Sequence, residues 1–100
     1  MASSHTNRVP RSLSGYLVAY VSESIDGRDI CIYGDSTGLR SLGESLIAIA
    51  NLDQASLSDS ECPPDDSFHQ HYKPALPGLP RLTVGRVDEK ASGQRKAFFP

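Results

Sequence analysis

Three short stretches of this 100-residue chain carry side chains able to do chemistry. The first is Gly34-Asp35-Ser36, where a β-like run ends and an apolar-periodic segment begins. A serine hydroxyl becomes a nucleophile only beside a base that a third group orients. Asp66 and His69, three residues apart, are the nearest match to such a base and orienter. The second stretch is His69-Gln70-His71. Residues i and i+2 of a strand share a face, so both imidazoles could reach one Zn²⁺. Cys62, Asp65 and Asp66 lie close enough in sequence to complete a ligand set. The third feature is a set of tyrosines, Tyr16, Tyr20, Tyr33 and Tyr72, a residue type enriched at protein interfaces.

The letters around Ser36 resemble those of small serine esterases of the Gly-Asp-Ser class, which also take their other two triad members from an Asp-x-x-His. Those enzymes are considerably longer α/β proteins, with further blocks supplying Gly and Asn donors to an oxyanion hole. Here the asparagines are Asn7 and Asn51, neither near the turn in sequence. Without such donors and a cleft, a serine has nothing to stabilise the developing charge. Helix capping explains the same letters. Asp, Ser and Thr accept hydrogen bonds from the free N–H groups of a helix's first turn, and Asp complements its positive end. Gly34 is expected to release the strand, and Asp35, Ser36 or Thr37 to cap the helix. No catalytic residue and no cofactor are implied, and the chain is read as a non-enzyme.

Length allows a single domain with a modest core. The net charge of −2 disfavours nucleic acid as a partner, because phosphate binding needs clustered Lys and Arg. No apolar run approaches the roughly 18 residues of a membrane span. The polar N-terminus has no signal-peptide core, which predicts a cytoplasmic protein whose Cys31 and Cys62 are free thiols.

The elements that must position these groups follow from pattern. Residues 1–12 read as a flexible arm. Residues 14–22, rich in Tyr and Val, read as a strand. Asp26-Gly27 is a hairpin turn signal, and residues 29–33 form the antiparallel second strand. Leu39, Leu42, Leu46 and Ile49 recur at spacings of three and four, with Ile47 and Ala50 widening the stripe, which predicts a helix packed through that stripe and ending near Asn51. Gly38 and Gly43 weaken it by up to about 1 kcal/mol each. Residues 52–66 form an acidic loop broken by Pro63-Pro64 and long enough for part of it to move. Residues 67–73 and 81–87 read as a third and a fourth strand, joined by a proline-punctuated turn. Residues 89–100 read as a flexible tail in which Phe98-Phe99 could dock. The expected domain, residues 13–88, is therefore α+β and two-layered: one helix on a four-stranded, mainly antiparallel sheet in the order β-β-α-β-β. Leu17, Ala19, Val21, Ile30 and Ile32 would meet the helix. Tyr16, Tyr20, Tyr33 and Tyr72 would line the opposite face.

"GDSTGLRSLGESLIAIANL" and "HQHYKPALPGLPRLTVGRVD" together resemble a small bacterial family of polymorphic-toxin immunity proteins. The shared letters are Asp35, Gly38, Leu39 and Leu42 in an Asp-x-x-Gly-Leu-x-x-Leu helix start, His69 and His71, and Leu82 and Val84 in the closing strand. The resemblance covers about residues 29–88, and the loop before the His strand is longer here than in the family pattern. It implies a non-enzymatic module that neutralises a protein toxin.

The expected function is protein binding, to a toxin-like partner or to itself. The contact residues would be Tyr16, Tyr20, Tyr33 and Tyr72, with Asp65 and Asp66 of the acidic loop steering a basic partner. The alternative is a metal-binding or hydrolytic protein centred on His69 and His71.

Overall fold

The computed structural model describes residues 9–94. Strand β1 (Leu17–Ser24) pairs antiparallel with β2 (Gly27–Gly34), from Leu17 opposite Gly34 to Ser24 opposite Gly27. The connection is the two-residue loop Ile25-Asp26, one position earlier than the Asp-Gly signal implies, and Gly27 opens β2 at φ +134°. The Ser24 hydroxyl accepts from the Asp26 N–H and donates to the Gly27 carbonyl, closing the turn.

Helix α1 (Ser36–Ala50) follows directly. Its N-cap is Asp35, whose carboxylate accepts from the Gly38 N–H at 2.7 Å and from the Tyr16 N–H at 3.1 Å. The Asp35 N–H in turn donates to the Tyr16 carbonyl at 3.1 Å. One aspartate thus fastens the helix start to the chain entering β1. The helix ends at Asn51 as expected, but with φ −95° and ψ 2° rather than in the left-handed region.

The helix is rotated relative to the leucine stripe. Its buried side is Gly38, Leu42, Ser45 and Ile49, while Leu39, Leu46, Ile47 and Ala50, also expected on the packed stripe, are exposed. Small residues mark this side because neighbours come close. A Cβ on Gly38 would sit 1.9 Å from the Tyr16 carbonyl oxygen. The fully buried Ser45 hydroxyl shares a 2.5 Å hydrogen bond with the Tyr72 hydroxyl, which also donates to the Pro10 carbonyl at 2.8 Å.

Strands β3 (His69–Tyr72) and β4 (Leu82–Gly85) form a second antiparallel pair, with His71 opposite Thr83 and Tyr72 opposite Leu82. The four strands do not make one sheet. They form two separate two-stranded sheets, β1–β2 and β3–β4. Proline explains the split. Pro74, Pro77 and Pro80 lack the N–H that a ladder needs, so β3 stops at Tyr72 and cannot run on beside β1. The Ala75 N–H still donates to the Leu17 carbonyl at 3.1 Å, a single bond between the two hairpins.

The segment after the helix is more structured than an acidic loop suggests. Gln54–Ser56 forms a 3₁₀ turn, and the buried Gln54 side chain accepts from the Phe68 N–H and donates to Asp88. Arg86 grips the Asp88 carboxylate with two nitrogens, at 3.0 and 2.7 Å, and donates to the Leu52 carbonyl at 2.6 Å. Lys90, from the segment read as a tail, donates its Nζ to the Leu57 and Cys62 carbonyls at 2.7 and 2.9 Å. Its backbone N–H donates to the Asp66 carbonyl. Residues 1–8 of the expected arm and Phe98-Phe99 of the expected tail lie outside the described residues.

Candidate protein-docking surface

Antiparallel partners share a face. The register therefore puts Val18, Tyr20, Cys31 and Tyr33 on one side of β1–β2, and Leu17, Ala19, Val21, Ile30 and Ile32 on the other. This is the alternation the sequence predicts. Burial does not follow it. Only Leu17, Val18 and Ala19, at the start of β1, are buried. The rest of the hairpin projects: Ile25 is 101% exposed, Ile30 80% and Tyr33 62%. Ile47 on the helix adds 63%. Of the aliphatic set expected to meet the helix, Leu17 and Ala19 are buried, while Val21, Ile30 and Ile32 are exposed. A single helix beginning at the base of β2 is too near one end of the hairpin to cover its tip.

Among the described residues the buried hydrophobic core is seven residues, while twelve large hydrophobics are exposed. Nine of those twelve lie on the hairpin or on α1, and that concentration marks the candidate surface. Monomeric proteins scatter single apolar residues over their surface, but contiguous apolar patches mark contact sites. Tyr20 and Tyr33 stack with ring centroids 6.0 Å apart and planes 13° from parallel. Loss of water around the rings, and then the neighbouring Cys31 and Tyr33, raise the Tyr20 phenol above its ordinary value. Tyr16 is half-exposed beside this face. Tyr72 is not part of it. It lies on the inner side of β3, 2% exposed, where its hydroxyl joins the helix.

His69 and His71 do share a face, with ring centroids 5.0 Å apart. His69 Nδ1 lies 3.2 Å from the Ser67 carbonyl oxygen and His71 Nδ1 lies 2.7 Å from Thr83 Oγ1. Desolvation, then the Arg81 charge and His69, lower the His71 imidazole below its ordinary value. Zinc needs three or four converging ligands. No group of three or more His, Cys, Asp or Glu side chains able to hold a metal occurs among the described residues. The two rings also open onto different hollows. His69 lines a depression of about 600 Å³ with Arg11 and Glu61, and His71 one of about 450 Å³ with Lys73.

Ser36 is the first residue of the helix behind the Asp35 cap, so the Gly-Asp-Ser letters spell a strand-to-helix junction. Cys31 and Cys62 are free thiols, Cys62 being buried. The carboxylates of the acidic loop are engaged locally. Asp59 meets Lys90 at 3.3 Å, Glu61 accepts from the Ser58 N–H at 2.9 Å, and Asp66 accepts from the Ser67 N–H at 2.8 Å.

The Lys90 clasp and the Arg86–Asp88–Gln54 cluster escape a sequence reading, since nothing local pairs Lys90 with loop carbonyls 28 and 33 residues away. The buried Ser45 was open to detection. It lies three residues after Leu42 and four before Ile49, on an apolar stripe, where a hydroxyl must find a partner.

Compared with known proteins, the chain matches no family model, no curated sequence and no solved structure. No helix of the described residues is long and apolar enough to cross a membrane.

Proposed function

We propose that this chain is a non-enzymatic protein-docking module that acts through the β1–β2 hairpin and the outer side of α1. The observation that carries this reading is the concentration of exposed large hydrophobics on the two sides of the hairpin and on α1, Tyr20, Ile30, Tyr33 and Ile47 among them. The stacked Tyr20 and Tyr33 supply rigid rings that lose little entropy on contact. The resemblance of the Asp35-to-Leu42 and His69-to-Val84 segments to toxin-immunity proteins supports the same class of function, with a protein as the thing bound. Free thiols at Cys31 and Cys62 fit a cytoplasmic setting.

Site-specific photo-crosslinking in the native cell tests this. A benzophenone side chain placed at Ile30, Tyr33 or Ile47 is expected to give discrete protein adducts. The same group at Arg81, exposed just before β4, is expected to give none. Equal or absent labelling at all four positions would refute a docking role for the hairpin.

A further inference from the structure

The hairpin has an unused edge, and its geometry names an occupant. In a regular antiparallel ladder, alternate residues turn both backbone groups toward the partner strand. The Asp35 N–H bonds to the Tyr16 carbonyl, which sets the phase. Residues 29, 31 and 33 of β2 therefore face β1, and Arg28, Ile30 and Ile32 turn their N–H and C=O groups outward. On β1 the same phase sends the Leu17 carbonyl outward, where it meets Ala75. The β2 edge receives no such cover among the described residues. Two-stranded hairpins are marginal alone, and open apolar edges invite another strand.

We propose that this edge pairs with the same edge of a second copy of the chain, antiparallel about a two-fold axis at Cys31, giving a continuous four-stranded sheet. The inference rests on the docking reading above and specifies its partner. Three features favour a second copy. First, β2 is close to self-complementary about Cys31: Ile30 falls opposite the second copy's Ile32, and the reverse. The backbone groups of those residues then make about four hydrogen bonds. A perpendicular two-fold axis preserves faces, so the isoleucines of both copies merge into one apolar strip. Second, charge fits this direction. Arg28 and Asp29 sit at one end of β2. Antiparallel pairing separates the two copies of Arg28 by about 20 Å, beyond the roughly 8 Å screening length, whereas parallel pairing would set Arg28 on Arg28 and Asp29 on Asp29. Third, the surface fits a weak partner: one strand edge offers far fewer residues than the roughly 20–30 a side of a standard interface, so the dimer should be weak and reversible, to be sought at about 10 µM and above.

Sedimentation velocity on the full chain across that concentration range is the test, together with a short bismaleimide that joins two nearby thiols. The expected result is a reversible dimer that gives one cross-linked species of doubled mass. Cys31→Ser should lose the cross-link and keep the dimer. Ile30→Lys, at an 80% exposed position where folding needs no isoleucine, should weaken the dimer by about tenfold or more while the circular dichroism stays unchanged. A chain that stays monomeric at several hundred micromolar, or a dimer indifferent to Ile30→Lys, overturns the inference. Photo-adducts of Ile30 with a different protein alone would also overturn it, yet leave the docking reading standing. Absence of any adduct would remove both.

Discussion

Gly38 and Gly43 lie in the same helix, and replacing each by alanine should have opposite effects. Alanine is favoured over glycine in a helix interior by about 1 kcal/mol. At Gly43 nothing lies within 4 Å of the added Cβ. Gly43→Ala should therefore stabilise the fold by up to about 1 kcal/mol. At Gly38 the Cβ would meet the Tyr16 carbonyl oxygen at 1.9 Å and its carbon at 2.7 Å, where real Cβ contacts essentially never fall below 3.0 Å. Relief needs more than an ångström of backbone movement, and both elements are held. The Tyr16 carbonyl accepts from Asp35, and the Gly38 N–H is the capping donor. Overpacking a tight contact costs about 1–3 kcal/mol or more, so the clash should outweigh the propensity gain by about 2 kcal/mol. Urea unfolding followed by circular dichroism measures both variants against the native chain. With similar m-values, the midpoint should rise for Gly43→Ala and fall for Gly38→Ala. A Gly38→Ala variant as stable as the native chain would refute the close approach at the helix start.

The remaining predictions concern groups that the structure buries or clasps. Tyr72→Phe strands the Ser45 hydroxyl, which is 0% exposed, and should cost about 1–3 kcal/mol in denaturant unfolding. Ser45→Ala added to it should recover part of that loss, and strict additivity would refute the pairing. Lys90→Met removes the donor to the Leu57 and Cys62 carbonyls, so hydrogen exchange across residues 57–66 should quicken while β1 and β2 keep their protection. Unchanged exchange would refute the clasp. By NMR titration, His71 should lose its proton at a pH below the ordinary value of about 6.5. Its folded-state value is depressed, so its small stabilising contribution is full above the unfolded value and is lost as pH falls through the folded one. A His71 midpoint above the ordinary value would contradict its surroundings.

Local signals in the sequence foretell the elements well, and long-range geometry much less so. Tyr and Val enrichment places β1, the Asp26-Gly27 turn signal places β2 after it, and the Gly34-Asp35 junction places the helix start and its cap. The alternation of faces in the hairpin also follows, because it needs only the period of two and the register. The single sheet does not hold. The prolines after Lys73 are visible in the sequence, but their effect depends on where β3 would have lain beside β1. The helix stripe is misread for a related reason. Periodicity finds the leucines, whereas the buried side is set by how closely Tyr16 and Tyr72 approach Gly38 and Ser45. The candidate surface divides in the same way. Tyr20 and Tyr33 are where the pattern puts them, while Tyr72 turns inward because Ser45 and Pro10 hold its hydroxyl.

The rotated helix separates two duties that one amphipathic stripe normally combines. Gly38, Leu42, Ser45 and Ile49 form the buried attachment of α1 to the domain, whereas Leu39, Leu46 and Ile47 keep about half or more of their surface outside it. Substitutions at Ile47, the most exposed of the three, can therefore change what the helix touches with little effect on how it is held. A lineage of such chains could diverge in partner choice along one side of α1 while the capped, hydrogen-bonded side stays as it is.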